Sequence, residues 1–311
     1  MNVLVAGGAG FIGSHVVDML IERGDRVTVV DNVSQGNNLT HLDGHPNLTM
    51  VDADLNDLTR LKEVMRGMDV VYHLAANSDI QAGGKNPDLD FRNTLMTTKN
   101  ILDAMVFNNV KKMFFSSTSA IYGNKTGIVL KEDTGGLAPV SYYGASKLAS
   151  EALISSYAYM NDISALVFRF PNVIGPRLTH GVIFDFIRKL ERDPKRLEIL
   201  GNGKQTKEYI HVHDLVSAIA MVPIQIDPGV ETYNVSTESS TSVIQIAGIV
   251  CESLGYKDVE YSFTGGDFGW KGDVPSFKYD ISKIKNAGWM YKYSSTDAVR
   301  NTLTEVLALL K

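Results

Sequence analysis

The chain has a single cysteine, Cys251, so no intramolecular disulfide can form and a reducing compartment fits. It lacks an excess of positive charge. Thirty Lys and Arg against 35 Asp and Glu leave a net charge of -5, which excludes a broad basic surface of the kind that binds nucleic acid. An anionic ligand must then be held by a few local cations. No apolar stretch has the length of a membrane span, and the first residues run into a short apolar segment without a basic region or cleavage site, so a cytoplasmic protein is expected. Fixed-period repeats and low-complexity tracts are absent as well. What remains is 311 residues, 44% hydrophobic, enough for one large or two ordinary cores.

Short apolar runs alternate with amphipathic stretches in the first half. Residues 2–6 (NVLVA), 26–30 (RVTVV), 48–51, 70–74 (VVYHL) and 113–116 (MFFS) read as buried strands. Residues 13–23, 58–65, 91–107 and 145–160 read as helices. That alternation predicts an α/β protein with a doubly wound parallel sheet. After about residue 175 the pattern loosens into a helix over 182–190, a turn at 201–203 and weaker strands. No linker divides the halves, so a smaller α/β domain built from C-terminal insertions is expected, with 215–221 and 233–235 packing back on the first domain.

The first strand runs into Gly7-Gly8-Ala9-Gly10-Phe11-Ile12-Gly13, and a helical pattern follows at once. Glycines there permit a tight turn, and the helix N-terminus offers N–H groups and partial positive charge to a pyrophosphate. The spacing fits G-x-x-G-x-x-G from Gly7 or G-x-G-x-x-G from Gly8. Asp31 ends the next strand and suits the ribose hydroxyls of a dinucleotide. Asn32 rather than Arg follows it, which favours NAD over NADP. Asp54, after the third strand, suits the adenine amino group or, alternatively, caps the next helix. Ala75 and Ala76 are small enough to let a cofactor lie against the backbone.

Tyr143-Gly144-Ala145-Ser146-Lys147 places a phenol and an ammonium one helical turn apart. A phenol with pKa near 10 is a poor base at neutral pH; lowering it to about 7 takes roughly 4 kcal/mol of phenolate stabilisation. Lys147 and a nicotinamide cation in a partly dry cleft can supply that. Tyr142 competes for the role but stands five residues before Lys147, off its face. His211 and His213 alternate on a strand and could share a face, but nothing else in the sequence accompanies them. No metal is expected, and Asp214 reads as the cap of the helix that follows.

These segments resemble the extended short-chain dehydrogenase/reductase superfamily. The likeness rests on Gly7/Gly10/Gly13, Asp31 and Tyr143-x-x-x-Lys147. It also rests on His73-Leu74-Ala75-Ala76, Phe115 to Gly123 (FSSTSAIYG), Arg169 to Arg177 (RFPNVIGPR) and Gln205 to Asp214 (QTKEYIHVHD). Within the superfamily the chain is most similar to UDP-glucose (galactose) 4-epimerases of a compact archaeal and bacterial type. The resemblance implies a Rossmann-type fold in which residues 1–172 bind NAD, 206–240 pack back on them, and 173–205 and 241–311 bind a nucleotide sugar. It implies cofactor contacts from Gly7, Gly10, Phe11, Ile12, Gly13, Asp31, Asn32, Asp54, Leu55, Leu74, Ala75, Ala76, Asn93, Ser116, Tyr143, Lys147 and Phe170. Catalysis falls to Tyr143, Lys147 and Thr118. A UDP-sugar substrate would meet Thr118, Ser119, Asn172, Gly181, Val182, Lys207, Tyr209, Lys271 and Phe277.

Related dehydratases carry Asp-Glu after the catalytic Thr, and decarboxylating relatives a Glu. Here Ser119-Ala120 follow, which points to 4-epimerisation, a reaction that needs no second acid/base. Two departures stand out. Lys207 replaces an Arg common in epimerases, losing its planar fork. Around Phe268 and Trp270 the family's diphosphate-gripping Arg is missing, and Lys271 is the available replacement. Phe277 matches the position that in epimerases limits room beside sugar C2, which implies a preference for plain hexoses. The resemblance also implies a homodimer through the helices over 91–107 and 148–160.

Overall fold

The computed structural model describes residues 1–77, 79–224, 227–266, 274 and 277–309, without the side chains of Gln81 and Leu309. In chain order the elements begin with β1 (Asn2–Ala6), α1 (Phe11–Glu22), β2 (Arg26–Asp31), β3 (Leu48–Asp52), α2 (Leu58–Val64) and β4 (Val70–His73). Then come α3 (Ile80–Lys85), α4 (Pro87–Asp90), a π-helical segment (Phe91–Met96), α5 (Thr97–Phe107) and β5 (Lys112–Thr118). A 3-10 turn (Ser119–Tyr122) leads to β6 (Val129–Leu130), α6 (Tyr142–Asn161), β7 (Ser164–Phe170), β8 (Asn172–Ile174), α7 (Val182–Arg192) and β9 (Arg196–Ile199). The remainder is β10 (Thr206–Lys207), β11 (Tyr209–His211), α8 (Val212–Met221), β12 (Gly229–Asn234), β13 (Thr241–Ser242), α9 (Val243–Leu254), β14 (Glu260–Phe263), β15 (Lys278–Tyr279), α10 (Ser282–Asn286) and α11 (Ser295–Leu309).

Seven strands form one sheet in the order β12-β7-β5-β4-β1-β2-β3. The pairs β1–β2, β2–β3, β1–β4 and β4–β5 are parallel, with Val3 opposite both Val27 and Val70. Strand order reverses between β1 and β4, the place where open α/β sheets bind ligands. The expected Rossmann-type α/β fold is what the chain adopts. The inner strands are apolar because helices cover both faces, and burial of each large aliphatic side chain is worth roughly 1.5–3 kcal/mol.

The chain divides into two compact units. The first comprises Met1–Gly123, Gly135–Arg169 and Ile219–Tyr233; the second comprises Asn124–Thr134, Phe170–Ala218 and Asn234–Lys311. Leu4, Val30, Leu61, Val71, Ile101, Met105, Phe115, Ile154 and Val167 belong to the first unit's core. Ile183, Phe186, Leu190, Leu197, Ile199, Ile246, Val250, Val299 and Leu303 belong to the second's. Of the segment 206–240, residues 219–233 group with the first unit and the rest with the second. The second unit also takes in 124–134 through the parallel pair β6–β15. That excursion leaves no trace in local sequence pattern, since a two-residue strand has no periodicity to read.

Candidate functional site

The glycine loop is shaped by close approach. A side chain at Gly13 would put its Cβ 2.0 Å from the Gly7 carbonyl oxygen, and one at Gly7 would sit 2.6 Å from the Ala75 nitrogen. Gly7 also has φ +79°, which an L side chain resists. Among the two spacings the sequence allows, contact thus links Gly7 with Gly13, and it brings the end of β1 against Ala75 after β4. Gly10 caps α1 with no side-chain hydrogen bond, and the first turn, opening with Phe11 and Ile12, has no acidic residue. Its N–H groups are therefore left for an anion.

Asp31 closes β2 beside this loop. Its Oδ2 accepts the Ala9 N–H at 3.0 Å and its Oδ1 the Val33 N–H at 2.9 Å. Burial pushes its carboxyl up, opposed by those two donors. Asn32 is exposed and accepts the Ser34 N–H. Asp54 is exposed and bonds Asn56, and it is Asp57 that caps α2 by accepting from Arg60 N–H at 3.0 Å. Leu55 is buried and its carbonyl accepts from the Asn100 amide. Leu74, Ala75 and Ala76 are half-buried after β4. Asn93 lies exposed in the π-helical segment, its carbonyl taking the Thr97 hydroxyl. A glycine cradle, an uncapped helix start and a fixed carboxylate at the end of β2 together fit the adenosine diphosphate portion of NAD.

Tyr143 occupies the first turn of α6, which starts at Tyr142 because the Ser141 hydroxyl accepts the Gly144 N–H at 3.1 Å. A Cβ at Gly144 would come 2.6 Å from the Ala120 carbonyl oxygen. The helix start therefore lies against the 3-10 turn that follows Thr118. The Thr118 hydroxyl hydrogen-bonds the Tyr143 phenol and also accepts the Ala120 N–H at 3.2 Å. Tyr142 is 53% exposed, whereas Tyr143 is half-buried. Ser119 is half-buried beside Thr118.

Without the charge of a cofactor, burial governs the electrostatics of the pair. Burial pushes the Tyr143 phenol up to about 12; the Thr118 bond pulls it down and the Asp90 charge pushes it up further. Lys147 is 1% exposed, and burial lowers its ammonium to about 7 against the opposing pull of Glu151. Its Nζ donates to the Ser116 carbonyl at 2.6 Å and lies 4.6 Å from the centre of the Phe115 ring. In the protein alone, lowering of the phenol must await positive charge from a bound cofactor.

Beneath this pair lies a set of largely buried groups to which the motifs assigned no role. Glu151, one turn beyond Lys147, accepts from Arg169 Nη2 at 2.7 Å and Nε at 3.1 Å, and from the Ser117 hydroxyl at 2.5 Å. Arg169 Nη1 reaches the Tyr122 hydroxyl at 3.1 Å. Ser117 adjoins Thr118, so the network braces β5 and α6 where they carry Thr118 and Lys147. The i,i+4 spacing of Lys147 and Glu151 was the available signal. Asp90, also unnoticed in the sequence, is buried on α4 and accepts from the Asn77 amide at 2.9 Å.

The second unit holds Phe170 and the other substrate candidates. Asn172 and Tyr209 are register partners in the parallel pair β8–β11; Asn172 is exposed, and the Tyr209 N–H donates to the Ser295 hydroxyl. Gly181 and Val182 stand at the start of α7, and Lys207 on β10. Phe277 meets Tyr279 edge-on at 5.6 Å. Lys271, with Phe268 and Trp270, lies outside the described residues. Asp214 corrects one expectation. It does not cap a helix from residue 215, because α8 starts at Val212; its carboxylate accepts the Lys292 and Tyr293 N–H groups at 2.9 and 3.0 Å.

His211, His213 and Glu305 bring ligand-type atoms within 4.8 Å of one another. His211 Nδ1 accepts the His213 backbone N–H, so Nε2 carries the proton and donates to Glu305 at 3.0 Å, which engages both ring nitrogens. Among the described residues, no helix is long and apolar enough to cross a membrane.

Comparison with known proteins agrees with this geometry. A family model described as the NAD dependent epimerase/dehydratase family matches residues 3–236. A crystal structure of a UDP-galactose 4-epimerase is 35% identical, with a TM-score of 0.89 and full coverage of both chains. The Thermotoga maritima UDP-glucose 4-epimerase with UDP-glucose is 31% identical, also with a TM-score of 0.89 and full coverage of both chains. A UDP-N-acetyl-alpha-D-glucosaminuronate decarboxylase from Bacillus cytotoxicus is 31% identical over 91% of this chain and 90% of its own. The chain belongs to the NAD dependent epimerase/dehydratase family, whose cofactor is NAD.

Proposed function

We propose that this enzyme interconverts UDP-glucose and UDP-galactose by epimerisation at C4 through a transient 4-keto sugar. The first unit would bind NAD through the loop Gly7 to Gly13, Asp31 and the residues around Ala75, with Ser116 and Lys147 toward the nicotinamide ribose. NAD, when bound, supplies a hydride acceptor and donor for a carbinol carbon. Tyr143 takes the proton from the sugar O4 hydroxyl and later returns it. Thr118, bonded to that phenol, orients the hydroxyl and stabilises the phenolate. Lys147 adds positive charge beside Ser116. Asn172, Lys207 and Tyr209 of the second unit would hold the diphosphate and uridine, with Lys271 standing in for the absent arginine. Phe277 would restrict space beside C2, so N-acetylhexosamines should be poor substrates.

The reading is carried by one observation: Thr118 meets Tyr143, while Ser119-Ala120, where an acid would serve elimination or decarboxylation, has no carboxyl. Similarity to a decarboxylase as well as to epimerases leaves the reaction itself to be tested. Replacing the two tyrosines separately does so. Tyr143→Phe should lose at least a thousandfold of UDP-galactose turnover, and Tyr142→Phe should stay within a factor of a few. The opposite ranking overturns the assignment. We further propose a homodimer through α5 and α6, where Phe107, Tyr159 and Met160 are 66, 86 and 75% exposed.

A further inference from the structure

Asp90 is 1% exposed, yet its Oδ2 has no hydrogen-bond partner among the described residues. Its Oδ1 is held by the Asn77 amide at 2.9 Å, and Asn77 is in turn fixed by its N–H to the Thr94 hydroxyl at 3.2 Å. Space for the free oxygen comes from Gly83, where an added Cβ would lie 2.1 Å from it. An unmatched carboxylate oxygen in the interior is costly, so its persistence calls for a reason. α4, which carries Asp90, packs against α6, which carries Tyr143.

We propose that Asp90 is a positioning residue for proton transfer: its buried carboxylate sets, through space, how firmly Tyr143 holds its proton. The inference rests on Tyr143 being the acid/base group. A negative charge near a phenol opposes formation of a second negative charge, and low polarity in the interior carries that effect further than water would. Burial is the main cause that raises the Tyr143 phenol, Thr118 opposes it, and the Asp90 charge adds to it; burial likewise raises the Asp90 carboxyl, opposed by Asn77 and aided by Asp79. Other ionisable groups on the elements around Asp90 are Lys85, Asp88, Arg92, Tyr142, Lys147, Glu151, Tyr157 and Tyr159; Glu151 is held by Arg169, Tyr157 donates to Asp103 and Tyr159 is exposed. Lys85, Asp88, Arg92 and Tyr142 are exposed, and Lys147 Nζ is engaged with Ser116. Asp90 thus adds to the hold that burial has on the Tyr143 proton, and cofactor charge must overcome both.

The test uses the enzyme as purified, with its tyrosines labelled with 13C at the ring carbon that bears oxygen. The Tyr143 signal is assigned by its absence in Tyr143→Phe. In Asp90→Asn, which retains an acceptor for Asn77, the Tyr143 titration midpoint should fall by on the order of one pH unit. The rising limb of the kcat/KM profile should move down with it. Asp90→Ser should shift both in the same direction and serves where the amide variant does not fold. A merely structural role would change kcat or thermal stability and leave the midpoint in place. An unmoved midpoint in a folded variant overturns the proposal, whether or not activity changes. Full turnover in Tyr143→Phe would instead sink the underlying assignment of the base.

Discussion

Glu208 is 2% exposed in the second unit, where it accepts from the Ser236 hydroxyl and the Tyr279 N–H. Burial pushes its carboxyl up to about 7, more than those donors can pull it down. The folded chain therefore holds this proton more tightly than the unfolded chain does. Stability falls once the pH passes the unfolded value of 4.5, and the loss is complete above about 7. Glu208→Gln should remove a penalty on the order of 3 kcal/mol at pH 8 and very little at pH 4. Thermal melts of both proteins across that range check it; a gain that is constant or shrinks with pH contradicts the assignment. Asp90 and Glu208 share a lesson. A buried carboxylate is an ordinary Asp or Glu in the sequence, because the burial that changes its chemistry comes from distant segments.

At the scale of elements, α1 and its loop are tightly constrained. Gly13→Ala would drive a methyl group into the Gly7 carbonyl, and neither backbone can yield without moving the end of β1. We expect loss of copurifying NAD and a destabilisation of about 1–3 kcal/mol, read by cofactor release on denaturation and by urea unfolding. Retention of stoichiometric NAD in the variant would contradict the cradle. These elements were legible in advance because strand, glycine loop and helix are contiguous and strongly patterned. β1, β2 and β4 fall within a residue of their expected limits. The apolar pattern starts α6 at residue 145, whereas Ser141 caps it and puts Tyr143 inside the first turn. The π-helical segment at Phe91–Met96 has the sequence pattern of ordinary helix, since a single wide turn does not alter apolar periodicity. The pairings β8–β11 and β6–β15 were not legible, because strands of two or three residues are specified by partners far away in the chain.

At the scale of the whole molecule, a 4-epimerase ends each cycle with its cofactor in the oxidised form in which it began, so bound NAD should suffice without replenishment. A dehydrogenase would need a stoichiometric supply, and a decarboxylase would release carbon dioxide from a uronic acid substrate. The family assignment accommodates more than one such outcome, and the missing acid after Thr118 favours the first. The most direct measurement is incubation of the purified protein with UDP-galactose and no added cofactor, with the nucleotide sugars resolved by chromatography over time. Many turnovers per bound NAD to a stable mixture with UDP-glucose, approached equally from either sugar, is the predicted result. No interconversion by protein that carries its NAD would contradict it.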